Sequence, residues 1–186
     1  MSKLETNQLT AKALRIASSA HQGEVRKSKE IPYIVHPVEA AMVLQRNGQS
    51  DKLIAACLLH DTLENTDINK EQLEEEFGSE IKELVIGASE QLEVREEKDW
   101  EDRKEHTINY LKTAPREVKY LSCADKLSNV RSMIRDYEHI GDEFWNRFNR
   151  GYEDQKWYYN GLVDSLDELE GEEIYEQFVL AVNYLF

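Results

Sequence analysis

His60 is the most telling of the five histidines, because Asp61 follows it at once and the pair closes the apolar run Ile54-Ala55-Ala56-Cys57-Leu58-Leu59. That run reads as a buried helix. An imidazole and a carboxylate at its end cost on the order of several kcal/mol unless something satisfies both. A bound cation would do so, with ring nitrogen and carboxylate oxygen as ligands. Taken alone, the dipeptide is weak, and chance or simple hydrogen bonding is much the commoner explanation. Glu64 follows three residues after Asp61 and would share its face on a continuing helix. Asp125 interrupts a second apolar stretch, Tyr120-Leu121-Ser122-Cys123-Ala124, and again needs a buried partner. A salt bridge to Lys126 or Arg131 would also serve, although neighbours on a helix do not face each other, which weakens Lys126. His36, just before Pro37, stands at a helix entrance, where a capping or core histidine is the plainer reading. Together His36, His60, Asp61 and Asp125 offer two imidazoles and two carboxylates. That mixed set suits Mn²⁺, Fe²⁺ or Zn²⁺ with positions left open for water and phosphate. Cys57 and Cys123 lie in apolar helical patterns and read as buried, reduced thiols; they form no structural zinc site.

The elements that must position these residues are helical. Leu9, Ala13, Ile16, Ala17 and Ala20 form a stripe with Gly23 as its stop. Pro37 suits a first helical turn running to about Gly48, and Asp51 can cap the segment Leu53–Leu63. Ser79 and Pro115 mark later starts, Glu117–Arg135 is a long amphipathic pattern, and two more helices follow near 152–169 and 172–186. Ile31–Val35 is the one strand-like run, short and without a convincing partner. The expectation is a single all-α domain over residues 1–186, with about eight to ten helices and no repeat or linker. A balance of 23 basic against 37 acidic residues gives a net charge of −14, a field that repels nucleic acid. Residues 71–105 hold 14 acidic and 5 basic side chains and read as solvated helix surface or loop. The N-terminus lacks a signal-peptide core and no run approaches a membrane span, so a cytoplasmic protein is expected. Trp100, Trp145 and Trp157 are assigned to the core, His21 to a structural hydrogen bond, and His106 and His139 to the surface.

The order His36, then His60-Asp61, then Asp125 resembles the H…HD…D signature of the HD superfamily. Ala20-His21-Gln22-Gly23-Glu24-Val25-Arg26-Lys27-Ser28 and Pro32-Tyr33-Ile34-Val35-His36-Pro37 resemble the opening of RelA/SpoT-type alarmone hydrolase domains. Ala55–Leu59 with His60-Asp61-Thr62-Leu63-Glu64-Asn65-Thr66 is similar to that family's "ALLHDxxEDT" segment. Phe77-Gly78 and Ala124-Asp125-Lys126-Leu127-Ser128-Asn129-Val130-Arg131 resemble its "FG" and "ADKLxNxR" pieces. The matches run in order over roughly residues 9–135, and Trp157-Tyr158-Tyr159 resembles the tail of stand-alone members. The resemblance implies an HD-type helical bundle and a Mn²⁺-dependent hydrolase that removes the 3′-pyrophosphate from guanosine tetraphosphate (ppGpp). It also implies that His36, His60, Asp61 and Asp125 bind the metal. Glu64 would orient or deprotonate the attacking water, with Asn65 beside it at the catalytic position. Arg26, Lys27 and Ser28 would line the nucleotide site, Asn129 would touch the sugar or base, and Tyr158 is a further candidate contact. The chain is short for the family's synthetase and regulatory domains, so a stand-alone small hydrolase is expected.

Two departures stand out. The family's Glu-Asp pair is Glu64-Asn65 here, and asparagine carries no charge and accepts no proton at neutral pH. The glycine usual after Arg-Lys-Ser is Lys29, which places Arg26, Lys27 and Lys29 in the densest basic patch of an acidic chain. These departures keep two rivals open: hydrolysis of another nucleotide phosphate, such as a nucleoside monophosphate or NADPH, and a sensing module that has lost turnover.

Overall fold

The computed structural model describes residues 3–26, 30–89 and 99–186. Among them the fold is all-α: nine helices of eight residues or more and one single turn. Helix α1 (Lys3–Ala20) buries Ala13 and Ala17 completely against α3 (Asp51–Leu59), whose residues Leu53 to Leu59 are all buried. Ser50, not Asp51, caps α3, its Oγ accepting from the Leu53 N–H at 3.2 Å. Asp51 is the first helical residue, where its charge meets the positive helix end.

After α1 the chain reverses at Gly23 (φ +85°), a left-handed conformation open to glycine. The run from Ile31 does have a partner: Pro32 pairs with Val25 in an isolated antiparallel bridge. The Arg26 N–H donates to Ile31 O and the Tyr33 N–H to Glu24 O, both at 2.9 Å. This clip aims Arg26 and Tyr33 along one side of the site. Helix α2 (Val35–Arg46) follows, with Pro37 in its first turn, where no backbone N–H is required.

The apolar helix does not continue to Leu63. It ends at Leu59, and a single turn, α4 (Thr62–Asn65), restarts after His60 and Asp61. Side chains satisfy carbonyls freed by the break: Thr62 Oγ1 donates to Leu59 O and His60 Nδ1 to Cys57 O, each at 2.7 Å. Helices α5 (Lys70–Phe77) and α6 (Ser79–Ala88) meet at Gly78, and α5 opens on a capping box of Asn69 and Gln72. Helix α7 (Trp100–Thr113) is capped by Asp99. The 25-residue α8 (Arg116–Ile140) is the spine, packed by α2, α3, α6 and α10. A 3₁₀ segment (Gly141–Arg147), α9 (Tyr152–Ser165), a 3₁₀ turn (Asp167–Leu169) and α10 (Glu173–Leu185) complete the chain.

Cys57 and Cys123 are buried free thiols, as expected. Trp145 sits in an aromatic cluster with Phe144, Phe148, Tyr152 and Phe186. Trp157, assigned to the core from sequence, is 41% exposed, and Trp100 is half-buried beside it. Their helices α9 and α7 pack side by side, with Trp100 against the buried Tyr158 and the core. No helix among the described residues is long and apolar enough to cross a membrane.

Candidate metal centre and its cleft

Three separate helical features deliver the four residues. His36 comes from the first turn of α2, His60 and Asp61 from the break after α3, and Asp125 from the middle of α8. His36 Nε2 lies 3.0 Å from Asp125 Oδ1 and 3.7 Å from Asp61 Oδ2. His60 Nε2 lies 3.3 Å from Asp61 Oδ2 and 3.7 Å from Asp125 Oδ1. One ligand atom from each of His36, His60 and Asp125 falls within 4.8 Å of the others. Asp61 stands beside this trio, its Oδ2 held by the Tyr33 hydroxyl at 2.7 Å.

Each imidazole is oriented from behind. His60 Nδ1 donates to the Cys57 carbonyl, which turns Nε2 towards the cluster, buried and without a hydrogen-bond partner. Ser89 Oγ fixes the His60 backbone by donating to its carbonyl at 3.0 Å. His36 Nδ1 lies 3.1 Å from Ser128 Oγ, which donates onward to Glu39 Oε2 at 3.3 Å. An orphaned ring nitrogen facing two carboxylates, with the opposite ring nitrogens already engaged, fits a divalent cation of nitrogen–oxygen preference.

Charge in this cluster is shared unequally. Burial would push the His60 imidazole down, but the Asp61 and Asp125 carboxylates outweigh it and raise it to about 9. For His36 burial wins, and Asp125 only partly offsets it, so this ring is pushed below its ordinary value. Burial works against an ionised Asp125, yet Lys126 and the two imidazoles hold its carboxyl well below the usual range. Burial and then the Asp61 charge hold the Tyr33 hydroxyl protonated, far above the ordinary tyrosine range.

Lys126 does pair with Asp125, its Nζ donating to Oδ2 at 2.6 Å. Adjacent Cβ atoms diverge on a helix, but the four-carbon stem is long enough to curl back. Arg131 donates instead to Gln177. Asn129, one turn beyond Asp125, donates to Asp125 Oδ1 at 2.7 Å and accepts from Arg26 Nη2 at 3.0 Å. Glu64 lines the same cleft as His36, Asp61 and Asp125, while Asn65 is exposed and donates to Tyr33 Oη at 3.3 Å. Lys27, Ser28 and Lys29 lie outside the described residues.

The cleft over the cluster has a cavity of about 200 Å³ and adjoins a second of about 400 Å³. Tyr33, Lys104, Lys126, Asn129 and Tyr158 line both, and Arg26 and Arg147 line the second. Tyr158 is 5% exposed, and its buried hydroxyl has no hydrogen-bond partner. His106 lines the first cavity rather than lying apart on the surface, and Trp100 lines the second. Neither carried a local signal, because both sit on α7, a polar helix whose approach to α9 is a tertiary fact. His21 makes the structural bond expected of it, Nδ1 to Glu24 Oε2 at 2.7 Å, and packs on Tyr33.

A family model described as HD domain matches residues 13–146. A guanosine-3′,5′-bis(diphosphate) 3′-pyrophosphohydrolase of Vibrio cholerae is 34% identical over 120 residues, covering 63% of this chain. The chain spans 17% of that protein's length. A relative with the same activity in its name, from Danio rerio, is 30% identical over 125 residues, 66% of this chain and 67% of the other. Among solved structures, one from Listeria monocytogenes EGD-e superposes with a TM-score of 0.74 at 32% identity, covering 81% of this chain and 98% of that one. A metazoan ortholog of SpoT, described as hydrolysing ppGpp, shares the fold with a TM-score of 0.74 at 23% identity, over 96% of this chain and 93% of its own.

Proposed function

The chain belongs to the HD domain family, and on that premise we propose that it is a metal-dependent phosphohydrolase of a small nucleotide, a 3′-pyrophosphohydrolase of ppGpp. The observation that carries this reading is the buried, unpartnered His60 Nε2 facing Asp61 and Asp125, two carboxylates that line a cleft shared with Lys104 and Lys126. The names of the Vibrio cholerae and Danio rerio relatives supply the substrate class.

In this reading His36, His60, Asp61 and Asp125 hold one divalent cation; two imidazoles and two carboxylates suit Mn²⁺, Fe²⁺ or Zn²⁺, and the resemblance to alarmone hydrolases points to Mn²⁺ among them. When bound, the cation supplies Lewis acidity to phosphoryl chemistry. The protein's own groups do the rest. Glu64 takes the proton of the attacking water. Tyr33 keeps Asp61 in place through its 2.7 Å hydrogen bond. Arg26, with Lys27 and Ser28, binds the phosphates, and Asn129 and Tyr158 face the sugar or base. Water adds at phosphorus, the bond to the 3′-oxygen breaks, that oxygen takes up the proton taken from water, and pyrophosphate and GDP leave. Residues 1–186 act as one HD-type unit in the cytoplasm, and the −14 charge keeps nucleic acid away.

The test is pyrophosphate release from ppGpp by the Mn²⁺-loaded chain, run beside NADPH and nucleoside monophosphates. Release of pyrophosphate from ppGpp is expected. Release of phosphate from another member of the panel alone would move the substrate assignment, and silence across the panel would overturn the hydrolase reading.

A further inference from the structure

Away from the metal cleft, α2 and α8 bring three arginines to one cavity. On α2, Glu39, Met42 and Arg46 lie at i, i+3 and i+7. On α8, Ser128, Arg131 and Arg135 repeat that spacing, and the two stripes wall a space of about 210 Å³. Arg131 is half-buried there. Burial pushes its guanidinium below the ordinary range, the charges of Arg46 and Arg135 push the same way, and Glu39 alone opposes them.

Glu39 is already engaged. Arg135 Nη2 lies 3.3 Å from both of its oxygens, and Ser128 Oγ donates to Oε2. Three guanidinium groups against one carboxylate leave an excess of positive charge in a chain whose net charge is −14. Arg131 and Arg135 are also four apart on one helix, a like-charge spacing that destabilises it. An oxyanion in the cavity relieves this repulsion, and guanidinium forks match the oxygens of a phosphate. The cavity, at about 210 Å³, accommodates a phosphate or a pyrophosphate.

We propose that the cavity walled by Arg46, Arg131 and Arg135 is a binding site for a small inorganic phosphate oxyanion, separate from the metal cleft. None of these arginines lines the cleft over His60, so the site stands whether or not the chain hydrolyses ppGpp.

The experiment titrates inorganic phosphate, and separately pyrophosphate, into the metal-loaded chain by calorimetry, comparing wild type with Arg46→Gln, Arg131→Lys and the double variant Arg46→Gln/Arg131→Gln. The wild type is expected to show a binding event that weakens at least about tenfold in Arg46→Gln, the loss of one charge-assisted contact. That event should disappear in the double variant, with metal content unchanged. Arg46 is exposed, so its variant folds and carries the test even if the double variant does not. Whichever ion gives the arginine-dependent event identifies the occupant. Isotherms for both ions that superimpose on the wild type in Arg46→Gln and Arg131→Lys would assign all binding to the metal cleft and overturn the proposal.

Discussion

The Asn65 amide donates to the Tyr33 hydroxyl, and Tyr33 donates to Asp61, so the residue that departs from the family pattern sits behind a candidate ligand. An ionised aspartate could not donate and would compete with Asp61 for the tyrosine proton. Glu64, which lines the cleft, therefore carries the proton transfer in this account. Glu64→Gln should lower kcat by about 10²–10⁴-fold, whereas Asn65→Asp should move it by less than about tenfold. An inactive parent that gains turnover on Asn65→Asp would contradict this division of roles. The raised His60 value gives a second prediction. Its proton stabilises the metal-free fold fully below the ordinary value of 6.5, and that contribution is lost as pH rises through about 9. The metal needs the same nitrogen unprotonated, so Mn²⁺ affinity should tighten by about tenfold per pH unit towards 9. Calorimetry across that range checks it, and a pH-independent affinity would show that His60 Nε2 is not a ligand.

At the scale of elements, the site depends on a helix that stops. His60 and Asp61 reach Asp125 because α3 ends at Leu59; the polar residues after it close the apolar run, but neither glycine nor proline stands there to mark the end of the helix. The break is decided by tertiary demands, with Thr62 and His60 side chains satisfying the freed carbonyls. Helix existence was legible from periodicity at α1, α2, α8, α9 and α10, and caps at Ser50 and Asn69 follow ordinary chemistry. The Val25–Pro32 bridge was not legible, because a single bridge leaves no alternation to read. Close approach of α6 to α8 rests on Gly87, where a methyl would fall 2.8 Å from Val118 Cγ2 and 3.1 Å from Tyr110 Oη. Overpacking of this kind costs about 1–3 kcal/mol, and the gain in helix propensity returns up to about 1 kcal/mol. Gly87→Ala should therefore lower the thermal midpoint; an unchanged or higher midpoint would show that α6 has room to move.

Over the whole molecule, α2, the α3 break and α8 gather residues 36, 60, 61 and 125 from far apart along the chain. Residue type and an apolar setting made those four readable in advance, since buried histidines and carboxylates demand partners. Lys126 was readable as a candidate partner of Asp125, whereas Tyr33, Lys104, His106 and the arginine-lined cavity were not, because their roles arise only where separate elements meet. The acidic net charge and the basic residues Arg26, Lys104, Lys126 and Arg147 of the adjoining cavity are consistent with a small anionic substrate, and both matter only if the four residues share a cation. Metal stoichiometry therefore tests the account most directly. Manganese bound to the dialysed chain should be about one per molecule, and His60→Ala and Asp125→Ala should each abolish it while circular dichroism still reports a helical fold. Undiminished manganese in both folded variants would mean that these groups do not converge on an ion, and the proposed chemistry would have no centre.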